Sequence, residues 1–532
     1  MENPTNEEIV PRDATGEEIE SLVHEPDKIP ITAWLLTFTG AVAQLARYGV
    51  VVTWQNYLQN PRGNALLPGA LGLGQSTATI IQNAFLFFEY ITPFLFAFIS
   101  DGYLGRYKTM LISLALLAVG YVVLLATSTP SALSHGAGVG GIAATIILVG
   151  LGQAGISAVM YPLIGDQIPE STPKVKRRGS QLVVTDRKLT IQYVFNGYYW
   201  MVNIAALSSI ATTLVEKHVD FWAAYLLATG IFLLGIIPVL VWSRHIVKPL
   251  PDGFRLSAAD PEFQRLNKHR TVEWSTDFVG ELQRGLKGCR VIVCFVIFWL
   301  CYNQTTNNLV SQAGQTEQKG ISNDTIQSLN PIACIILGPL IQGVIFPFLR
   351  RRKVPLGPIV RMTVAFFFIA AGIGYAAGVQ KLIYSRGPCF QYPLECPAAN
   401  DGQHDGSLRP NEVNIWIQTP VHFLLAAGEI LGLVALNEYT YSEAPANAKS
   451  MVQAIQQLAA AIGSALGLAL GPVSKNPDLV ILFASLAGTM ALSGTIFWAS
   501  FRKLDKDYEA KENAGEDTAA IVVSLQNEKE TC

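Results

Sequence analysis

Long apolar segments separated by polar loops recur along the entire chain. Twelve of them are long enough to cross a membrane as an α-helix, which needs about 20 apolar residues. These segments, numbered here as spans 1 to 12, lie at 31–58, 77–100, 107–128, 138–164, 189–215, 221–245, 287–312, 326–349, 356–383, 413–440, 450–471 and 479–501. The pattern predicts an all-α polytopic membrane protein with twelve transmembrane helices in two six-helix bundles.

Polar stretches divide the predicted protein into five parts. We expect an N-terminal tail at 1–30, a bundle at 31–245, a connector at 246–286, a second bundle at 287–502 and a C-terminal tail at 503–532. Loops on the side of the two tails carry most of the Lys and Arg residues, and this bias marks the cytoplasmic side. We therefore predict a multi-pass protein of the plasma membrane with both termini in the cytoplasm.

The composition supports a membrane protein and argues against several other classes. Only 15% of the 532 residues are charged, against about 25% in an average soluble domain. The net charge of −2 argues against a nucleic-acid partner. The seven His residues form no H-x-x-H pair, and no glycine-rich phosphate loop follows a strand. We expect no catalytic activity, no cofactor and no metal site, and a monomer surrounded by lipid.

Two loops on the predicted outer side carry modifiable residues. Cys389 and Cys396 bracket a short polar and aromatic segment, and a disulfide is expected there because the outer compartment is oxidising. Asn323 begins the sequence Asn-Asp-Thr, which is a glycosylation acceptor pattern.

Several motifs, taken in order, resemble one transporter family. The loop after span 2 reads D-G-Y-L-G-R-Y-K-T, in which Asp101, Gly105 and Arg106 can latch two helices at the cytoplasmic face. Further matching strings lie at 55–61, 68–75, 162–167, 199–204, 302–314, 329–331 and 437–450. Together they resemble the proton-dependent oligopeptide transporter family of the major facilitator superfamily, and its fungal members in particular.

The resemblance implies a site for the amino end of a peptide. In the family this end is held by an Asn in span 5, an Asn in span 8 and a Glu in span 10, which fall on Asn203, Asn330 and Glu429. Glu429 is informative without the family as well. A charged residue at the centre of an apolar span costs about 2.5–3.5 kcal/mol on insertion scales, so it marks a functional site.

Span 1 departs from the family in the segment that couples transport to protons. The family pattern E-x-x-E-R-F-x-Y-Y-G is replaced at 40–49 by a sequence that lacks both acids, and only Tyr48 and Gly49 persist. Gln44 stands in place of the Arg, and Ser157 in place of a span 4 Lys. The cations expected to hold a substrate carboxylate are therefore absent.

Spans 1 and 2, which are neighbours in this superfamily, each carry a charge that the family pattern does not contain. Arg47 lies one helical turn after Gln44 on the same face, and Glu89 lies in span 2. We hypothesise that they form a relocated ion pair near the cavity, with a role in coupling; the alternative is that each charge pairs elsewhere. Further candidates for the cavity wall are Tyr48, Trp299, Tyr302, Gln304 and Trp416.

Three functions are consistent with these residues. The first is secondary-active transport of small peptides or peptide-like amines by alternating access, with protons as a candidate driving ion. The second is export or facilitated movement of an amine-bearing natural product, which the retained ammonium site and the lost carboxylate site would favour. The third is a nutrient sensor that keeps the fold without transport.

Overall fold

The computed structural model describes ten segments of the chain. They are residues 12–13, 22–63, 67–169, 174–178, 181–185, 187–248, 289–352, 357–399, 409–443 and 449–530. The predicted connector therefore lies outside the described residues except for 246–248. Within these segments the structure is predominantly helical, as the apolar pattern predicts.

The predicted spans correspond to helices or to pairs of helices. Those of the N-terminal half are Ile31–Val51, Trp54–Gln59, Gln75–Ile99, Arg106–Thr127, Pro130–Ser134, Ala137–Asp166, Arg187–Ala206, Ser208–His218 and Phe221–Val241. Those of the C-terminal half are Phe295–Tyr302, Asn308–Gly314, Leu329–Leu340, Phe346–Arg351, Pro358–Ser385, Thr419–Glu443, Lys449–Ala469 and Leu479–Glu530.

Ten helical segments in the described part of the chain are long and apolar enough to cross a membrane. Spans 7 and 11 are the exceptions. Span 7 is interrupted between its two helices by the 3₁₀ turn Asn303–Thr306, and the apolar part of span 11 is the shorter Ile455–Ala469. The last helix also continues past span 12 through most of the predicted C-terminal tail.

Each half of the chain has its own hydrophobic core. One cluster of buried residues runs from Ala33 to Ile246, and a second runs from Val291 to Phe497. Because the main apolar contacts lie within each half, polar contacts between the halves can be exchanged without breaking either core.

A small sheet joins the N-terminal segment to the loop between spans 4 and 5, which the apolar pattern did not predict. Its strands are β1 (Arg12–Asp13), β2 (Val23–Glu25), β3 (Lys174–Arg178) and β4 (Gln181–Thr185), in the order β1-β3-β4-β2. β2 runs parallel to β4, and the other two pairs are antiparallel. Lys176 and Asp27 form an ion pair of 2.5 Å beside the sheet. The strands are only two to five residues long, and β1 and β2 lie about 150 residues from β3 and β4, so the apolar pattern is too weak to reveal the sheet.

A second sheet consists of β5 (Thr316–Glu317) and β6 (Asn411–Asn414), which pair in parallel. It lies between the end of span 7 and the start of span 10. Nearby, the structure joins Cys389 and Cys396 in a disulfide with a Cα–Cα distance of 5.5 Å.

The packing of spans 3 and 4 generates a prediction about Gly152. A Cβ atom at Gly152 would lie 2.8 Å from the backbone oxygen of Ser113 and 2.7 Å from Leu117 Cγ, so the helices would have to separate. Overpacking of this kind costs about 1–3 kcal/mol. We expect Gly152→Ala to lower the apparent melting temperature of the purified protein in detergent. Gly140→Ala, on the same helix with no atom within 4 Å of its Cβ, is the matched control. Equal melting temperatures for the two variants would contradict the packing argument.

Candidate functional site

Glu429 lies at the centre of a polar cluster formed by spans 7, 8 and 10. Its Oε2 accepts hydrogen bonds from the Tyr302 hydroxyl at 2.7 Å and from Asn330 Nδ2 at 3.0 Å. The Asn330 amide also donates to the Tyr302 hydroxyl at 2.9 Å, and the Cys334 thiol lies 3.7 Å from Oε2. No cation within the described segments forms an ion pair with Glu429, so the cluster presents a carboxylate that can receive a positively charged group.

The donors of this cluster all converge on one oxygen. Among the described residues, no hydrogen bond reaches Oε1 of Glu429, and the side chain is only partly buried. Tyr302 and Asn330 therefore orient the carboxylate without occupying it fully. A donor with several N–H groups, such as an ammonium, fits the remaining acceptor capacity.

The structure brings Arg47 and Glu89 together. Arg47 Nε donates to Glu89 Oε1 at 2.5 Å and Arg47 Nη2 donates to Glu89 Oε2 at 2.7 Å, which makes the contact bidentate. The two side chains are 12% and 6% exposed. Bidentate guanidinium–carboxylate pairs are the strong form of ion pair, and this one links spans 1 and 2.

Aromatic side chains connect the two charged groups. The Tyr48 ring lies 5.4 Å from the Arg47 guanidinium, and the Trp299 ring lies 5.8 Å from that of Tyr302, which donates to Glu429. Tyr90 and Trp299, one from each half, approach with ring centroids 5.6 Å apart. The acidic cluster of the C-terminal half and the ion pair of the N-terminal half therefore border one region between the halves.

Three predicted cavity residues lie outside these contacts. The Asn203 amide donates to the Tyr199 carbonyl at 2.9 Å, and no hydrogen bond in the described part joins it to Glu429. Gln304 is buried within span 7, where it bonds to Leu300 O and Asn308 Nδ2. Trp416 is 47% exposed in the 3₁₀ turn before the span 10 helix, and its place in the cavity wall stays a prediction.

The loop after span 2 latches helices through a partner that the motif does not contain. Arg106 Nη1 contacts both carboxylate oxygens of Asp166, at 2.7 and 2.8 Å, and so ties span 3 to the end of span 4. Gly105 has a φ of 79°, which favours glycine at this turn. The side chain of Asp101 lies outside the described residues. Asp166 is 60 residues from Arg106, and no local pattern relates the two.

Asn323 has a role different from the glycosylation that its sequence pattern predicts. It is 1% exposed, and its side chain exchanges two hydrogen bonds of 2.7 Å with that of Asn56 in the other half. An oligosaccharide transferase could not reach this amide in the folded protein, so the glycosylation prediction is wrong for this conformation.

The buried ion pair generates a prediction about stability. Removing one partner of such a pair leaves an uncompensated charge and costs about 3–5 kcal/mol, whereas replacing both by apolar residues is often tolerated. We expect Arg47→Met and Glu89→Met each to lower the melting temperature of the detergent-purified protein. The double variant should melt closer to the native chain than either single variant does. Additive losses in the double variant would show that the two side chains are not coupled.

Comparisons with known proteins agree with this architecture. The family model PTR2, described as the POT family, matches residues 107–259 and 258–487. Peptide transporter PTR_C of Candidozyma auris is 35% identical over 534 residues, which cover 95% of this chain and 91% of the relative. Peptide transporter PTR2 of Saccharomyces cerevisiae is 33% identical over 518 residues, covering 94% and 83%.

A solved structure shares the fold. The crystal structure of an auto-inhibited POT family peptide transporter superposes with a TM-score of 0.70 at 17% sequence identity, covering 89% of this chain and 97% of that one. The helical architecture, two hydrophobic cores and sequence matches over most of the length all agree. The chain is a multi-pass membrane protein of the POT family of transporters, with the major facilitator fold.

Proposed function

We propose that this protein is a secondary-active transporter of small peptides that works by alternating access. The observation that carries the proposal is the Glu429 carboxylate, held by Tyr302 and Asn330 and left without a cationic partner in the described segments. Full-length relatives named peptide transporters support the same substrate class and do not favour the exporter or sensor readings. Transport of this kind requires binding and release but no catalytic step.

The amino end of the peptide is bound at Glu429. An ammonium is costly to remove from water unless it is both paired and hydrogen-bonded. Glu429 supplies the opposite charge, and its Oε1 is free of other donors within the described part of the site. The Tyr302 and Asn330 donors hold the carboxylate in one orientation, so little side-chain entropy is lost when the substrate arrives.

The carboxyl end of the peptide competes with Glu89 for Arg47. Arg47 is the cation at the border of this region, and it is engaged on two of its nitrogens by Glu89. A proton added to Glu89 removes the negative charge that holds the guanidinium, which then becomes available to the peptide carboxylate. Proton binding and substrate binding would therefore support each other, although the acids of the family's span 1 motif are missing.

The contacts between the halves support alternating access. Polar side chains at the ends of spans 1, 5 and 7 and the starts of spans 2 and 8 join the halves, for example Gln55 to Ser311 at 2.9 Å and Ser209 to Ser328 at 2.8 Å. By the charge bias these ends face outward. We infer that the structure has its outer side closed.

The orientation of the chain in the membrane is inferred from the Lys and Arg bias of its loops. We propose both termini in the cytoplasm, the five-part division of the chain given above, a monomer, and the plasma membrane as the site of action. The basic strand Lys174–Arg178 lies on the proposed cytoplasmic side, and the Cys389–Cys396 disulfide lies on the opposite side, where an oxidising compartment would maintain it.

The ammonium site generates a prediction about peptide affinity. A hydrogen bond to a charged group contributes about 1.5–3 kcal/mol, which is a factor of roughly 10 to 100 in binding. We expect Glu429→Gln to raise the KM for uptake of labelled dialanine into proteoliposomes by about tenfold or more. Glu412→Gln changes an exposed acid in the same half and should leave the KM unchanged. An N-acetylated dialanine should inhibit the native and Glu429→Gln proteins equally weakly. An unchanged KM in Glu429→Gln would contradict the ammonium site.

The Arg47–Glu89 pair generates a prediction about energy coupling. Gln cannot gain or lose a proton in the physiological range, so Glu89→Gln should abolish accumulation of dialanine against its gradient when the outside is acidified. The same variant should still exchange labelled for unlabelled dialanine across the membrane, because binding and alternation do not need a driving ion. Accumulation that persists in Glu89→Gln and collapses with an ionophore would place proton coupling at another group.

A further inference from the structure

A second group of buried polar residues joins the two halves near their predicted outer face. We call it the outer clasp, and it consists of Asn56, Thr213, Glu216 and Lys217 from the N-terminal half and Ile321, Asn323, Asp324 and Thr325 from the C-terminal half. Thr213 and Thr325 share a hydrogen bond of 2.8 Å, and Lys217 Nζ donates to the carbonyl of Ile321 at 2.7 Å. With the Asn56–Asn323 amide pair, these contacts close the outer side.

The clasp contains two acids that face each other across the interface between the halves. Glu216 is 3% exposed and Asp324 is 0% exposed, and their carboxyl groups lie within hydrogen-bonding reach of each other. Glu216 Oε2 and both carboxylate oxygens of Asp324 lack a donor with good geometry among the described residues. A proton between the two groups is the missing donor.

Two buried carboxylates in contact cannot both be ionised without a large electrostatic cost, so they hold one proton between them. The surroundings indicate which group stays charged. Burial raises the pKa of Asp324, whereas Glu216, the Ser322 hydroxyl and the backbone amides of Asp324 and Thr325 oppose this through contacts that fall short of good hydrogen-bond geometry. Among the described side chains, Glu216 accepts a hydrogen bond from the Asn56 amide alone, at 3.3 Å, so the shared proton belongs on Glu216.

The other titratable groups around the pair do not replace that proton. They are Lys217 and Asp220 in the loop between spans 5 and 6, Tyr57 in span 1 and Tyr225 in span 6. The Lys217 ammonium is engaged by Ile321, and the Asp220 carboxylate caps the span 6 helix by accepting from the Phe221 amide at 2.7 Å. The described residues also contain no group of three acidic, His or Cys side chains suited to a metal ion.

A cavity connects Glu216 to the predicted outer face. It has a volume of about 300 Å³ and is lined by Arg62, Pro68, Glu216, Lys217, Asp220 and Phe221. These residues come from the loops that follow spans 1 and 5 and from the first residue of span 6, all of which the charge bias places outside. Protons from the outer solution can therefore reach Glu216 while the clasp is closed.

We propose that Glu216 and Asp324 form a proton-binding site that controls the outer clasp. With one shared proton, the Glu216 hydroxyl donates to the Asp324 carboxylate and joins the halves. Loss of that proton leaves two adjacent anions at the interface, which repel each other and open the outer side. The closed clasp binds the proton more tightly than the open one, so it is stable at low pH and weakens as pH rises. This site acts on the gate and is separate from the proposed role of Glu89 at the substrate.

Hydrogen–deuterium exchange of the full-length protein without peptide tests this proposal. The readout is exchange in Ser208–His218 and Thr325–Ser328, corrected for the intrinsic pH dependence of the amide reaction. Between about pH 5 and pH 8 we expect the opening equilibrium of the native protein to rise by up to about tenfold per pH unit, the limit for one proton. Glu216→Gln places a permanent amide donor opposite Asp324, so its exchange should stay low throughout.

Two further variants make the test selective. Asp324→Asn places the donor on the other side of the pair and should also remove the pH dependence. Asp220→Asn changes an acid in the same cavity while keeping the helix cap, and it should respond to pH as the native protein does. A native clasp insensitive to pH, or a Glu216→Gln protein that keeps the native response, would overturn the proposal. Neither result depends on which substrate is carried.

Discussion

A charge inside the hydrocarbon of a membrane must be paired or hydrogen-bonded, and this constraint determines where the functional groups of the protein can lie. Arg47 and Glu89 satisfy each other in a bidentate pair, and Glu429 is satisfied in part by Tyr302 and Asn330. Lipid offers no hydrogen bonds, so such groups are directed towards the interior of the protein. The border between the two halves, away from their apolar cores, is where they can also meet a polar substrate.

The same constraint distinguishes the two charged groups by function. The Arg47–Glu89 pair is neutral as a unit and nearly complete in its hydrogen bonds, so it resists change until a proton or a competing carboxylate arrives. Glu429 has neither a cationic partner nor a donor to its Oε1 in the described part of the cluster, so it can receive a cation. In the proposed mechanism a zwitterionic peptide meets both requirements at once, because its ammonium completes the Glu429 site and its carboxylate replaces Glu89 on Arg47.

Local sequence patterns were sufficient for the fold but only in part for the site. Most spans, the acid at Glu429 and its partner Asn330 were predictable, because each depends on a single segment or an ordered motif. The contact between Arg47 and Glu89 was a hypothesis that rested on the adjacency of spans 1 and 2 in facilitators, and the structure brings the two groups together. The Arg106–Asp166 latch and the pairing of β1 and β2 with β3 and β4 join residues far apart in sequence, and no local periodicity encodes such contacts. Asn323 shows the opposite case. Its Asn-Asp-Thr sequence matches the glycosylation pattern, but the Asn323 side chain is buried against Asn56 of the other half.

The location of each acidic group determines which motion its proton can control. Arg47 and Glu89 belong to the same half, so breaking their pair frees the guanidinium without separating the halves. Glu216 and Asp324 belong to different halves, so their repulsion acts directly on the closed outer side. On these two proposals, a transporter that lacks the acids of the span 1 motif still responds to protons in two physically separate ways. One response changes what the cavity binds, and the other changes which side of the membrane the cavity faces.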